Sequence, residues 1–339
     1  MARYVLRRLL HSALLVLVTL AVTFAVLHLA PGDVLSRYTA EGADPATLAR
    51  VRRQLGLDDS LPEQFVRWLW SFLRGNFGVS LVHHRPVADI LRETIPRTVL
   101  LTASAFLVQV ALGVAAGVWA AARGGRATDR AVSGAALAIY AVPTFYLAYL
   151  LIMAFALGLG WLPTSGVTTA GADLTGLAAL ADRLRHLVLP VTVLGVASAA
   201  IVARFTRGSV LDALREDFVR TARAKGLGEG RVVWLHALRS ALGPVVIVLG
   251  LSAPVLLGGA VVVEKVFAWP GMGALMVDAI FGRDVPVVLA VNFVGAAMVV
   301  ACNLIADLCV AAADPRTELA STREAAPRAR LRQAPEERP

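Results

Sequence analysis

Apolar residues fall into six long blocks separated by short stretches that mostly carry arginine, and that pattern governs the reading of the chain. The blocks cover residues 9–30, 98–122, 131–157, 187–203, 242–263 and 285–310. A hydrocarbon core of about 30 Å needs roughly 20 apolar residues at 1.5 Å of helical rise each. The blocks therefore predict an all-α, polytopic membrane protein of about six transmembrane helices. Residues 1–8 hold Arg3, Arg7 and Arg8 and read as a cytoplasmic N-terminus. The block behind them reads as an uncleaved first span, because His28 stands where a signal-peptide cleavage site wants a small residue.

Residues 31–97 have no span-length run and form an external segment. Within it, residues 62–73 predict a short amphipathic helix with Phe65, Trp68, Leu69 and Phe72 on one face, suited to a membrane interface. The second block contains Gly113-Val-Ala-Ala-Gly117, a spacing that lets another helix approach closely. Pro143 lies in the third block, residues 158–185 return as an external loop, and Pro190 falls in the first turn of the fourth span. Gly250, Pro254, Gly258 and Gly259 predict a kinked or unwound fifth span. Residues 264–283 form the next external segment.

Composition agrees with a chain whose solvent is lipid: 57% hydrophobic and 17% charged, against about 45–50% and 25% in soluble domains. The net charge of +9 would suggest nucleic acid on a soluble protein. Here the arginines sit beside apolar blocks, so they orient the chain with both termini inside, and no nucleic-acid partner is expected. Cys302 and Cys309 are seven residues apart in one block, about 10 Å along a helix, too far for a disulfide. Beyond Asp314 the chain turns Arg-, Glu-, Ala- and Pro-rich, and residues 314–339 predict a disordered cytoplasmic tail.

Candidate chemistry is sparse. The sequence has no G-x-x-x-x-G-K-[ST] phosphate loop, no C-x-x-C, no H-E-x-x-H and no G-x-S-x-G. His83-His84 with Asp89 lacks a spaced set of further ligands and reads as a solvated loop. Span centres offer Gln109 and Asn292, with Asn303 and Asp307 nearer one end. Without buried carboxylates, a proton-coupled transporter is disfavoured, so uphill transport would draw its energy from a partner.

Residues 204–241 form the longest polar stretch between spans, with eight Arg/Lys against four Asp/Glu. Ser209 is placed to cap a helix running to about Lys225, with Leu211, Leu214, Phe218 and Ala222 on one face. Gly226 and Gly228 stop it, and residues 231–239 start a second short helix bearing Trp234, Leu235 and Leu238. Such a hairpin fits two roles: an amphipathic loop lying on anionic headgroups, or a plug for a groove on a cytoplasmic subunit.

Asp217-Phe-Val-Arg-Thr-Ala-Arg-Ala-Lys-Gly226-Leu227, followed by His236-Ala-Leu-Arg239 and Pro244, resembles the cytoplasmic loop of ABC importer permeases, in the branch handling dipeptides, oligopeptides and nickel complexes. The wider family begins this loop Glu-Ala-Ala. The matching positions here are Arg220, Thr221 and Ala222, a departure common in the peptide branch. Further stretches continue the resemblance along nearly the whole chain: Arg7-Arg8-Leu9, Pro31-Gly32-Asp33, Leu55-Gly-Leu-Asp58, Gln64-Phe65, Trp68 and Gly75-Asn-Phe-Gly-Val-Ser80. They are followed by Gly160-Trp-Leu-Pro-Thr-Ser-Gly166, Val266-Phe-Ala-Trp-Pro-Gly-Met-Gly273, Arg283-Asp-Val-Pro286 and Asp314-Pro-Arg316.

The resemblance implies a pore subunit in the bacterial cytoplasmic membrane that works with a homologous second permease, cytoplasmic ATP-binding subunits and an extracytoplasmic substrate-binding protein. ATP and magnesium would belong to the ATPases, with no cofactor, metal or catalytic residue in this chain. Arg220, Thr221, Ala222, Ala224, Lys225, Gly226 and Leu227 would form the coupling helix seated in an ATPase. Peptides are the implied cargo, with nickel or metal chelates as the alternative within the family. The other classes considered are an ATP-independent channel or secondary transporter, and a membrane-embedded enzyme.

Overall fold

The computed structural model describes residues 2–29, 44, 59–124 and 127–313. The tail from 314 onward and most of 31–58 lie outside the described residues. Helix α1 is Ala2–Leu29, α2 is Leu61–Leu73, and α3 is Val87–Ala122. Helix α4 is Ala127–Ala141, and α5 is Thr144–Leu151, continued by a π-helical turn over Ile152–Gly158. Then follow α6 (Gly176–Ala213), α7 (Asp217–Ala224), α8 (Leu238–Val266), α9 (Met272–Phe281) and α10 (Val285–Ala313). Among the described residues the structure is helical apart from turns and a single bridge between Val79 and Pro86.

Helices α3 and α6 share the most extensive contact in the fold, and small residues make it possible. A Cβ added at Gly113 would lie 2.6 Å from the Val202 Cβ, and one at Gly117 would lie 2.6 Å from the Ala203 carbonyl oxygen. Gly195 reciprocates from α6, where a Cβ would meet the Val108 side chain at 2.8 Å. The G-x-x-x-G spacing is thus the seat of α6. Val118, Ala121, Val210 and Ala213 close one end of this pair, and Leu101, Ala105, Val193 and Leu194 fill its other half together with α8 residues Leu256, Ala260 and Val263.

A second core joins α1, α2, α9 and α10. Phe24 packs against Phe65 and Trp68 with ring centroids 5.4 and 6.0 Å apart, and Phe72 meets Phe293 edge-on at 6.0 Å. The face of α2 expected to lie on the membrane is therefore turned inward. Its start is capped: Glu63 accepts hydrogen bonds from the Ser60 N–H (3.1 Å) and hydroxyl (2.8 Å). Those bonds hold the Glu63 carboxyl below its ordinary range. Inside the bundle, the Asn292 amide donates to the Thr23 hydroxyl and joins α10 to α1.

Several local expectations are corrected. The helices overrun the apolar blocks, because the blocks measure hydrocarbon thickness and not helix length. Helix α6 has 38 residues, about 57 Å at 1.5 Å each. Pro190 thereby falls in its interior, and residues 176–185 are helix where a loop was expected. The fifth block stays continuous through Pro244 and Pro254. Gly250 serves a close approach: a Cβ there would lie 2.4 Å from the Ala306 Cβ of α10. The break falls in the third block, where Pro143 ends α4 and opens α5 at a bend of 103°. A residue preceding proline is pushed out of helical geometry, which accounts for its location.

Four helices are long and apolar enough to cross a membrane among the described residues, and α4 with α5 adds a fifth if the bent pair is one span. The apolar part of α1, Leu10–Val26, is shorter than that measure.

Candidate functional site

The polar loop begins where α6 ends. Leu214, Arg215 and Glu216 form a tight turn, with Glu216 N–H donating to the Ala213 carbonyl at 3.2 Å, and α7 follows. Ser209 lies inside α6 and caps nothing, because the long helix continues to Ala213. The buried face of α7 is Val219 and Ala222, packed on Val232, Leu214 and Leu227. Phe218, expected on that face, is turned outward, while Leu211 and Leu214 pack against the end of the α3–α6 pair.

Lys225 ends α7, and Gly226 follows with φ +78°, a left-handed conformation that side chains resist. Gly226 N–H donates to the Arg223 carbonyl at 2.9 Å, and Leu227 N–H donates to the Ala222 carbonyl at 3.3 Å. Arg223 closes the loop by pairing with Glu229 at 2.7 and 3.1 Å. The expected second short helix is instead the first part of one rod, Glu229–Val266, with a π-helical stretch over Val232–Ala237.

The structure brings the expected loop residues together on one small helix and its stop. Arg220, Thr221, Ala224, Lys225 and Gly226 are exposed, Leu227 is half-buried, and Ala222 is buried beneath them. Trp234 and Leu235 are exposed beside them, while Val232, Val233 and Ala237 hold the rod to the bundle. The site is thus an exposed, mainly basic helix seated on the ends of α6 and α8. Arg220 reaches only Asp217 of its own helix, at 3.2 Å with both side chains exposed, a pair that contributes little.

Sequence reasoning missed the opposite end of the molecule. Glu264, expected as the first residue of a solvated external loop, is fully buried. Its Oε1 accepts from the Thr98 hydroxyl at 2.7 Å, and its Oε2 accepts from the Ala274 N–H at 2.9 Å. Thr98 in turn accepts from the Met272 N–H at 2.8 Å. The carboxylate sits at the N-terminus of α9, where unpaired N–H groups and the helix dipole favour an anion. Gly271 is required there: a Cβ would lie 2.1 Å from Glu264 Oε1. Thr98 belongs to α3, so the carboxylate ties α3, α8 and α9 together.

Asp284 makes a second tie. It is buried and accepts from the Ser80 hydroxyl (2.5 Å) and from the N–H groups of Leu81 (3.2 Å) and Val82 (3.1 Å). Two of the stretches quoted from the sequence, ending at Ser80 and beginning at Arg283, therefore meet in space. A third contact of this kind is Gly166 N–H donating to the Phe267 carbonyl at 2.8 Å. The premise that buried carboxylates are absent is corrected. Each has both carboxylate oxygens hydrogen-bonded to another element and acts as a fastener. Their signal lay in the residues after them, glycines in one case and a helix start in the other. Replacing Asp284 with alanine is expected to cost about 1–3 kcal/mol for each N–H donor it orphans, and faster proteolysis at residues 80–85 in the purified protein measures it.

Among the described residues the bundle thus has four helices, or five counting the bent pair, long and apolar enough to cross a membrane, and it carries an exposed basic helix on the ends of two long rods. The chain belongs to the binding-protein-dependent transport system inner membrane component family, whose model matches residues 113–319, with the N-terminal model of the same systems matching residues 1–102. It is the permease subunit of an ABC importer and has no ATPase site of its own. It is 38% identical over 319 residues to the oligopeptide transport system permease protein AppB of Bacillus subtilis, covering 94% of this chain and 100% of that one. It is 41% identical over 315 residues to the glutathione transport system permease protein GsiC of Escherichia coli K12, covering 93% and 98%. A chain of the MetNI methionine ABC transporter, in an inward-facing form, shares the fold with a TM-score of 0.52 at 19% identity, covering 66% of this chain and 96% of that one. The family is an inner-membrane one, and the chain is a multi-pass protein of that membrane.

Proposed function

We propose that this permease carries short peptides, and that the exposed loop helix α7 is the joint through which partner ATPases drive it. The cargo reading rests on the oligopeptide and glutathione relatives. The joint reading rests on one observation above all: α7 is exposed on one face and, on the other, packed between the ends of two 38-residue rods. A push on α7 is passed to both rods without an intervening flexible linker. Closing of the ATPases then tilts the rods and switches the pore by rigid-body motion. ATP and magnesium stay on the ATPases, a homologous second permease completes the pore, and an external binding protein delivers the peptide. In this reading α1 is a sixth span, and both termini and α7 face the cytoplasm, in keeping with the basic residues of the loop.

Gly226→Glu tests the joint. Its φ of +78° resists any side chain, and the added bulk and charge fall on the exposed surface proposed to meet the ATPase. ATP-dependent peptide uptake is expected to fall at least about tenfold, the equivalent of about 1.4 kcal/mol, while membrane insertion is retained. Normal uptake by the inserted variant rules the joint out.

A further inference from the structure

A cavity of about 910 Å³ opens between α3, α4 and α6, close to the end of α6 that carries the loop. Its volume is that of a small-molecule site. One wall is α4, which brings Leu137 and Tyr140, and the floor is α6, which brings Phe205, Arg204 and Asp212. Arg207 also reaches the cavity, but its guanidinium is committed to the buried Asp129 carboxylate in a two-pronged pair at 2.5 and 2.6 Å. That pair fixes α4 to α6 and cancels its own charge.

Arg204 and Asp212 are different. Among the described residues neither side chain has an ion-pair or hydrogen-bond partner. They are eight residues apart on one helix, about 12 Å along its axis and within about 80° of one another around it. Between them stands Gly208, where an added Cβ would meet nothing within 4 Å. The floor is therefore open, with a positive group at one end, a negative group at the other and apolar walls between.

We infer that this cavity is a subsite for a short zwitterionic peptide lying along α6, its carboxylate at Arg204 and its ammonium at Asp212. An extended tripeptide spans about 10 Å at 3.3–3.6 Å per residue, close to the axial spacing of the two helix positions that carry the charges. A phosphatidylethanolamine headgroup carries the same two charges only a few bonds apart and does not bridge them. The inference rests on the peptide reading of the cargo and adds a place within the chain where that cargo stops.

The test uses the complete assembly in phosphatidylcholine nanodiscs, with Ser209, which lines the cavity, changed by Ser209→Cys in a Cys302→Ala, Cys309→Ala background. Trialanine is expected to slow maleimide labelling of the new thiol, and trialanine amide, which lacks the carboxylate, to protect about tenfold less well. Arg204→Gln should abolish the difference between the two peptides, and Arg204→Lys should restore part of it. Labelling that neither peptide slows, equal protection by both, or protection by phosphatidylethanolamine alone overturns the subsite. Uptake of trialanine by proteoliposomes holding the same assembly, its binding protein and ATP reads the cargo separately. Uptake without protection removes the subsite only, whereas no uptake of tri- or tetraalanine removes the cargo reading.

Discussion

Gly117→Leu is expected to remove most of the folded protein from the membrane. A Cβ at this position would lie 2.6 Å from the Ala203 carbonyl oxygen, 2.6 Å from the Thr206 Cβ and 3.0 Å from the Arg207 N–H. Two of those three atoms are backbone, so no side-chain rotation relieves the clash, and α3 and α6 must separate. Inserting methylenes into a packed core costs about 1–3 kcal/mol when side chains can shift. Here the cost exceeds that range, because α3–α6 is the principal helix contact of the fold. Detergent-solubilised variant should run as aggregate on size-exclusion chromatography. The control is Gly134→Leu on α4, where a Cβ would meet nothing within 4 Å, and it should elute like the parent. Equal behaviour of the two variants contradicts the close approach.

The second large effect is at Glu264. Replacing it with leucine leaves two donors, the buried Thr98 hydroxyl and the part-buried Ala274 N–H, without this acceptor. Each orphaned group costs about 1–3 kcal/mol, so the tie between α3, α8 and α9 should fail at a total of about 2–6 kcal/mol. Glutamine separates shape from chemistry. It keeps the volume and one acceptor but turns an N–H donor toward Thr98 or Ala274. The expected order of thermal stability is parent, then Glu264→Gln, then Glu264→Leu. If glutamine matches the parent, the second acceptor oxygen is not needed and the tie is weaker than its geometry implies.

Much of the architecture was legible because two solvents leave strong marks on a sequence. Apolar blocks marked the helices, and Gly113 and Gly117 marked the seat of α6. The loop was legible down to its stop at Gly226. What escaped was everything decided by tertiary contact. Val219, and not Phe218, became the buried side of α7, because α7 starts afresh after a turn instead of extending a helix from Ser209. Pro254 failed to break its helix while Pro143 broke its own, although both stand in apolar blocks. Gly250 packs closely on α10 beside the first, whereas the second is the N-cap that opens α5. Glu264 and Asp284 read as surface charges until the partners that bury them, up to 204 positions away, were in place.

The 38-residue length of both rods has a mechanical meaning. Each is about 57 Å long, and the hydrocarbon takes about 30 Å of it, so nearly half of each rod stands outside the lipid. A rod held at one end, as α8 is held by Glu264, acts as a lever whose other tip sweeps about 10 Å for a tilt of about 10°. On the proposed joint, a large stroke applied at α7 would become a small movement at the Glu264 clasp. A lever that shortens the stroke multiplies the force, so the few hydrogen bonds of that clasp would bear more load than is applied at α7.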